Sequence, residues 1–164
     1  MTPDESRRYY RWSLVLGFVL FPAPAFALLI TLSFQSIAGS VPLTGAGSSN
    51  ATLNFGSVSA FEPLNTGVTR TVGALSYTLS TSFGVRSTHP LPLLSPNYTL
   101  RARLLSAQPL TWRIDGVTMS TSQATIATSQ PYGPVVPHTV AFVVPFTQPA
   151  GAVNTVLEIT AIAN

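Results

Sequence analysis

The stretch NYTLRARLL, at residues 97–105, decides the fold class. Apolar side chains alternate along it with polar or charged ones, and the apolar positions are Tyr98, Leu100, Ala102 and Leu104. A period of two is that of a β-strand with one face in a core and the other in solvent. The stretch therefore predicts a half-buried antiparallel strand.

The next segment continues this pattern and adds a turn. Leu110, Trp112 and Ile114 alternate with polar residues and are predicted to point inward. Asp115-Gly116 follows, and then a second short alternating run. An Asp-Gly pair between alternating segments is a strong hairpin signal, because both residues tolerate the positive φ of a type I′ turn. We expect a tight β-hairpin here.

Similar alternation recurs at residues 51–61, 68–82, 139–145 and 153–163, separated by segments rich in Gly and Pro. Residues 68–82 are predicted to be one long strand or a bent pair, with a bulge near Gly73 and Ala74. No amphipathic helical pattern follows the N-terminal region. Strands at a spacing of about 8–12 residues are typical of a β-sandwich. The sequence thus predicts an all-β domain over residues 51–164, an antiparallel sandwich of about seven or eight strands. Proline-rich loops are expected at residues 83–96 and 130–137.

Composition excludes several classes of site. The 164 residues include no cysteine, so zinc or iron–sulfur sites built on thiolates are excluded. Charged residues are only 8% of the chain, and every basic residue is arginine. The arginines beyond the N-terminal region are scattered, which argues against a nucleic-acid partner. They are Arg70, Arg86, Arg101, Arg103 and Arg113.

No residue pattern predicts catalysis or a cofactor. The chain lacks a G-x-S-x-G motif, and its two histidines, His89 and His138, show none of the spacings of metal ligands. Asp115 is explained as a turn residue. We therefore expect a protein that is not an enzyme and that holds no metal or cofactor. Tyr132, in the loop QPYGPVVP, is a better candidate for an exposed contact than Trp112, Tyr98 and Phe142, whose phase is inward.

The N-terminal region predicts export. Arg7, Arg8 and Arg11 precede an apolar run at residues 13–21, and Ala25-Phe26-Ala27 has the small-x-small form of a cleavage site. Residues 1–27 are therefore predicted to be a signal peptide, with cleavage after Ala27 or, alternatively, after Ala38. The other alternative is an uncleaved hydrophobic helix, since residues 12–38 are long enough to span about 30 Å of hydrocarbon.

Residues 28–50 are predicted to form an apolar arm followed by a Gly/Ser linker. Ile30, Leu32 and Phe34 alternate with polar residues, which is the period of a strand. Such an arm could complete the sheet of a second copy by strand donation. The alternative is that these residues are only the tail of a long signal sequence. VPLTGAGSSN, at residues 41–50, has the composition of a flexible linker.

Three stretches together resemble bacterial exported fimbrial-type subunits. They are LNFGSVS at residues 53–59, VAFVVPF at residues 140–146 and AGAVNTVLEITAIAN at residues 150–164, joined to a signal peptide and an alternating arm. The resemblance implies an immunoglobulin-like β-sandwich that lacks or lends a strand and that polymerises or caps at the cell surface. The spore-coat-U-like pilins have a similar apolar closing strand but usually carry a disulfide, which this chain lacks.

The functional expectation is an exported, non-enzymatic structural or adhesion protein in the periplasm, at the cell surface or outside the cell. Its expected partners are further copies of itself or a surface protein, and membrane contact is expected only through an uncleaved leader. The alternative function is a carbohydrate-binding or other ligand-binding sandwich.

Overall fold

The computed structural model describes residues 30–89 and 95–164, which form strands and loops. The predicted signal peptide, residues 1–27, lies outside the described residues. Within the described part, no helix is long and apolar enough to cross a membrane. The strands are β1 (Thr31–Gln35), β2 (Leu43–Thr44), β3 (Asn50–Val58), β4 (Thr69–Val72), β5 (Ser76–Thr88), β6 (Asn97–Leu104), β7 (Thr111–Ile114), β8 (Val117–Thr118), β9 (Ala124–Pro131), β10 (Val135–Pro145) and β11 (Gly151–Ala163).

These strands form two antiparallel sheets, which confirms the predicted all-β sandwich. The first sheet has the order β1-β5-β10-β7-β8, and β4 also pairs with β5. The second sheet has the order β2-β3-β11-β6-β9. Side chains from both sheets join in one hydrophobic core. At its centre the ring of Phe142 lies 4.4 Å from that of Trp112 and 4.7 Å from that of Phe55.

The two stretches that were most informative in the sequence fold as predicted. Along β6 the alternation puts Tyr98 and Leu100 in the core at 0% exposure. Between β7 and β8, Asp115 and Gly116 have φ values of 48° and 84°, as a type I′ turn requires. Trp112 and Ile114 are buried, and Leu110 packs against the core while partly exposed.

Strands are more numerous than predicted, because β1 and β2 precede residue 51 and because residues 68–82 contribute to two strands. Residues 68–82 were expected to be one long strand or a bent pair with a bulge, but β4 and β5 form a hairpin that turns at residues 73–75. The loop predicted to begin at residue 83 begins after Thr88, and β10 begins at Val135. Pro137 is tolerated in β10 because β7 pairs only with residues 140–143, so β10 is bonded on one side at Pro137.

The described residues of the predicted arm and linker, 30–50, are part of the sandwich. β1 pairs with residues 84–88 of β5 in the same chain, and Phe34 is fully buried 5.3 Å from Phe83. Val41, in the predicted linker, is also buried. The domain boundary therefore lies before residue 51, and the described arm completes its own sheet. Its alternation is real: Phe34 is buried and Leu32 packs against the core, whereas Thr31 is exposed.

The sandwich has two well-separated ends. β5 runs the full length, and its thirteen residues span about 40 Å at about 3.3 Å per residue. Thr88 pairs with Thr31, so the chain that follows the predicted leader enters at this end, which we call the leader end. The last strand, β11, also finishes here. Ser76 and Pro145 pair at the opposite end, which we call the distal end.

Candidate functional site

Large apolar side chains are exposed together at the distal end. Phe61 and Leu75 are each 83% exposed, Val72 is 58% exposed and Phe146 is 37% exposed. We call these four residues the distal tip. They come from three separate connections: the loop after β3, the β4–β5 hairpin and the loop after β10. Single exposed apolar residues are common on protein surfaces, but a contiguous group is typical of an interaction site.

Ring and backbone contacts join the three connections. The rings of Phe61 and Phe146 are parallel to within 2°, with centroids 6.2 Å apart. Beneath them lies Tyr77, which is buried and whose ring centroid is 5.8 Å from that of Phe146. The amide of Phe146 donates to the carbonyl of Leu75 at 3.2 Å. The tip is therefore an ordered extension of the core.

Arg70 fixes the loop that carries Phe61. Its guanidinium donates to the carbonyl oxygens of Ser59 and Glu62, at 2.7 and 2.9 Å. The amides of Phe61 and Glu62 donate to the hydroxyl of Ser59, at 3.3 and 3.4 Å. These bonds hold the backbone of the loop in one conformation, and in that conformation the Phe61 side chain is exposed.

The distal tip carries little charge. Glu62 and Arg70 are the only charged residues within residues 59–75 and 145–151, and their charges cancel. Burial raises the pKa of Tyr77, and the positive charge of Arg70 acts in the opposite direction. Tyr77 is therefore neutral under the tip at physiological pH. What the four side chains of the distal tip offer chemically is apolar contact.

Tyr132, predicted to be an exposed contact, is half-buried at the leader end. Its ring packs between those of His89 and Tyr98, with both centroid distances at 5.1 Å. Its hydroxyl is buried without a hydrogen-bond partner. A cavity of about 250 Å³ beside it is lined by Thr88, His89, Tyr132 and Gly133. Tyr132 thus belongs to an aromatic cluster beside the core, and its role in ligand contact stays a prediction.

The predicted donor residues also lie at the leader end, far from the distal tip. Ile30 and Leu32 are half-buried and line a groove of about 410 Å³, whose other wall includes Ile159 and Ala161 of β11. Phe34 is in the core. The structure therefore brings the three predicted arm residues onto one side of β1, but within their own chain.

One acid–base pair comes together that the sequence did not indicate. Nδ1 of His138 lies 2.6 Å from Oδ2 of Asp115, and the other carboxylate oxygen accepts from the amide of Thr139 at 2.8 Å. His138 is 4% exposed, and its Nε2 is buried without a partner. The pair ties the hairpin to β10, and the imidazole is buried.

The distal tip was not predicted from the sequence, although a signal was present. Phe61, Leu75 and Phe146 each stand in a Gly- or Pro-containing turn: AFEPLNTG, VGALS and VPFTQPAG. Large apolar residues at turn positions have no strand face to explain them. Among residues 30–89 and 95–164, no group of three or more His, Asp or Glu side chains could hold a metal ion.

Comparisons with known proteins add no assignment to this geometry. No protein-family model matches the sequence, and no curated protein is significantly similar to it.

Proposed function

We propose that this chain is an exported, non-enzymatic adhesion protein of the cell surface, with the distal tip as its contact surface. The single observation that carries the proposal is the placement of the tip. Phe61 and Leu75 are exposed at the end of the sandwich about 40 Å from the end that follows the leader. A module tethered or assembled through its leader end would present the tip outward.

The tip's composition supports a binding role over a merely structural one. An apolar group exposed without a partner promotes aggregation and contributes nothing to the core. Arg70 and Ser59 nevertheless hold its loop in one conformation. A non-enzymatic role is supported by the burial of His138, which contacts the carboxylate of Asp115.

Cell-binding assays with the protein in its naturally processed form test the proposal. The double substitution Phe61→Ser plus Leu75→Ser should reduce binding to target cells at least tenfold, because it removes most of the exposed apolar area. Leu105→Ser plus Ile162→Ser is the matched control, since both residues are 45% exposed outside the tip. Adhesion that survives the tip substitution unchanged would refute the proposal.

Strand exchange is a second candidate function, and β1 is the observation that favours it. β1 is an edge strand of five residues, bonded as a strand only to β5. A pilus-like polymer could form if β1 left its own sheet and paired with β5 of a second copy, which would restore the same contacts. This would realise the fimbrial resemblance of the sequence.

Oligomer state distinguishes strand exchange from simple adhesion. The processed protein should form SDS-resistant oligomers that Ile30→Asp plus Leu32→Asp abolishes, because both side chains lie on the inward side of β1. Thr31→Asp, at an exposed position of the same strand, is the control. A monomer at all concentrations would eliminate this candidate. The carbohydrate-binding alternative predicts glycan-array hits that Tyr132→Ala removes.

A further inference from the structure

We infer that the partner of the distal tip is the interfacial region of a lipid bilayer with little net charge, into which Phe61, Leu75 and Phe146 insert. This inference rests on the proposed function, because it takes the tip as the contact surface and names the chemistry of its partner. Three properties of the tip favour a bilayer over a small ligand or a protein: its shape, its area and its charge.

The tip is convex. A side chain that is 83% exposed, as Phe61 and Leu75 are, cannot line a cavity. Sites for small molecules are concave and bury most of the ligand surface. Concave sites in the described part of the chain lie elsewhere, including the grooves at β1 and beside Tyr132. A protruding apolar tip instead needs a partner that can deform around it, as lipid acyl chains do.

The area of the tip is small for a protein partner. Taking about 150–200 Å² for each large side chain, the exposed fractions of the four residues give about 400–500 Å². A stable protein interface buries about 800 Å² on each partner and has a polar rim. A bilayer requires neither shape complementarity nor a rim, because apolar side chains gain simply by leaving water.

The low net charge of the tip favours a bilayer that also has little net charge. Anionic membranes are recognised by clusters of Lys and Arg. Here the only local cation is Arg70, and its guanidinium bonds to the carbonyls of Ser59 and Glu62. Glu62 cancels its charge. A zwitterionic surface fits this balance, and the resulting binding should not depend on salt.

The tip is organised before it binds. Phe61 and Phe146 are stacked, and the amide of Phe146 is bonded to Leu75. Little side-chain freedom then remains to be lost on insertion, which lowers the entropic cost of binding. Polar backbone groups near Phe61 are bonded to Ser59 and Arg70, so the apolar rings can enter the headgroup boundary, about 5–10 Å deep, without unsatisfied amides beside them.

Flotation with phosphatidylcholine vesicles tests the inference on the naturally processed protein. We expect binding that is equal in low and high salt and that falls at least tenfold in Phe61→Ser plus Leu75→Ser. Leu105→Ser plus Ile162→Ser should bind as the original chain does, which excludes a general effect of surface polarity. Any binding through a retained leader would be equal in the original chain and in both double variants. The inference is overturned if the tip variant binds vesicles as tightly as the original chain does.

A spectroscopic variant tests insertion directly. Phe61→Trp places an indole at the tip, whereas Trp112 is buried at 1% exposure. Brominated phosphatidylcholine should quench the added fluorescence by at least half, and no quenching would overturn the inference. If vesicles fail to bind while cell adhesion remains dependent on the tip, the lipid assignment is wrong and the adhesion proposal stands. If adhesion itself is independent of the tip, both fail.

Discussion

At the scale of single residues, Thr81 joins two loops to the first sheet. Its side chain is 5% exposed on β5, where most buried positions are apolar. The hydroxyl accepts from the amide of Val41 at 3.1 Å and donates to the carbonyl of Gly67 at 2.7 Å. One buried hydroxyl thus satisfies a donor and an acceptor that would otherwise be desolvated without partners.

Thr81→Val should destabilise the fold by about 2 kcal/mol, because valine has the same shape but leaves both backbone groups unpaired. Chemical denaturation followed by tryptophan fluorescence measures the free energy of unfolding. Thr78→Val is the matched control, since Thr78 lies on the same strand but on the opposite, half-buried face. Equal stability of the two variants would contradict the bridging role of Thr81.

Tyr98 should make the fold sensitive to alkali. Burial raises the pKa of Tyr98 to about 12, and Tyr132 acts in the same direction. The folded state therefore keeps this phenol neutral while the unfolded chain ionises near pH 10. Stability is fully present below pH 10 and is lost as the pH rises from about 10 to about 12.

The substitution Tyr98→Phe tests the direction of this pH dependence of stability. The Tyr98 hydroxyl is buried without a partner, so its removal should cost little at pH 7. Between pH 10 and 12 the variant should lose less stability than the original chain, by about 2 kcal/mol at the upper limit. Denaturant titrations at several pH values give the free energy of unfolding as a function of pH for the variant and for the original chain. Equal dependence on pH in the two proteins would show that another group controls the alkaline transition.

At the scale of elements, the sequence predicts features that depend on neighbouring residues, but it does not predict which distant strands pair. β6 and the Asp115-Gly116 turn were predicted correctly, because alternation and positive φ depend on adjacent residues. The β4–β5 hairpin was missed because its turn, at residues 73–75, resembles a bulge within a continuous alternating run. The pairing of β1 with the sheet of its own chain depends on β5, whose paired residues lie 49 to 57 positions later in the chain.

The β7–β8 hairpin is held by more than its turn. Asp115 bonds to both His138 and Thr139 of β10, across 23 and 24 residues of sequence. Asp115→Gly keeps a residue that adopts positive φ but removes both bonds, so the loss of stability combines the loss of the tie with the added backbone entropy of glycine in the unfolded chain. We expect about 1–3 kcal/mol, because His138 is left buried with two unbonded nitrogens.

Gly116→Asn is the control for this tie, since asparagine also tolerates positive φ and a Cβ at residue 116 meets no atom within 4 Å. Gly116→Asn should lower the free energy of unfolding by much less than Asp115→Gly does. Thermal unfolding of the two variants makes the comparison. A larger loss for Gly116→Asn would mean that turn conformation, and not the Asp115–His138 contact, controls the hairpin.

At the scale of the whole molecule, the candidate site was the least predictable feature. The distal tip exists only because three turns, separated by up to 85 residues between Phe61 and Phe146, end at the same end of the sandwich. No local pattern specifies that arrangement. Conversely, Tyr132 looked exposed because it stands in a proline loop, but the fold places it against Tyr98 and His89.

The packing of β1 in the sandwich also constrains where the leader of an exported chain would be cleaved. Cleavage after Ala38 would remove β1, and with it Phe34, which is fully buried. It would also leave residues 84–88 of β5 without a partner on that side and break the bonds between Phe34 and the loop at Gly47 and Ser48. Loss of a buried phenylalanine alone costs about 3–5 kcal/mol, a large part of the stability of a small domain.

We therefore predict that the mature protein begins at Leu28. N-terminal sequencing or intact mass of the exported protein measures this directly. Ala27→Leu should block processing, because the residue before the cut must be small, whereas Ala38→Leu should leave processing unchanged. A mature chain that begins at Gly39 would mean that the sandwich is exported without β1. It would then have an open edge at β5 and would need a strand from a partner, which is the arrangement that strand exchange requires.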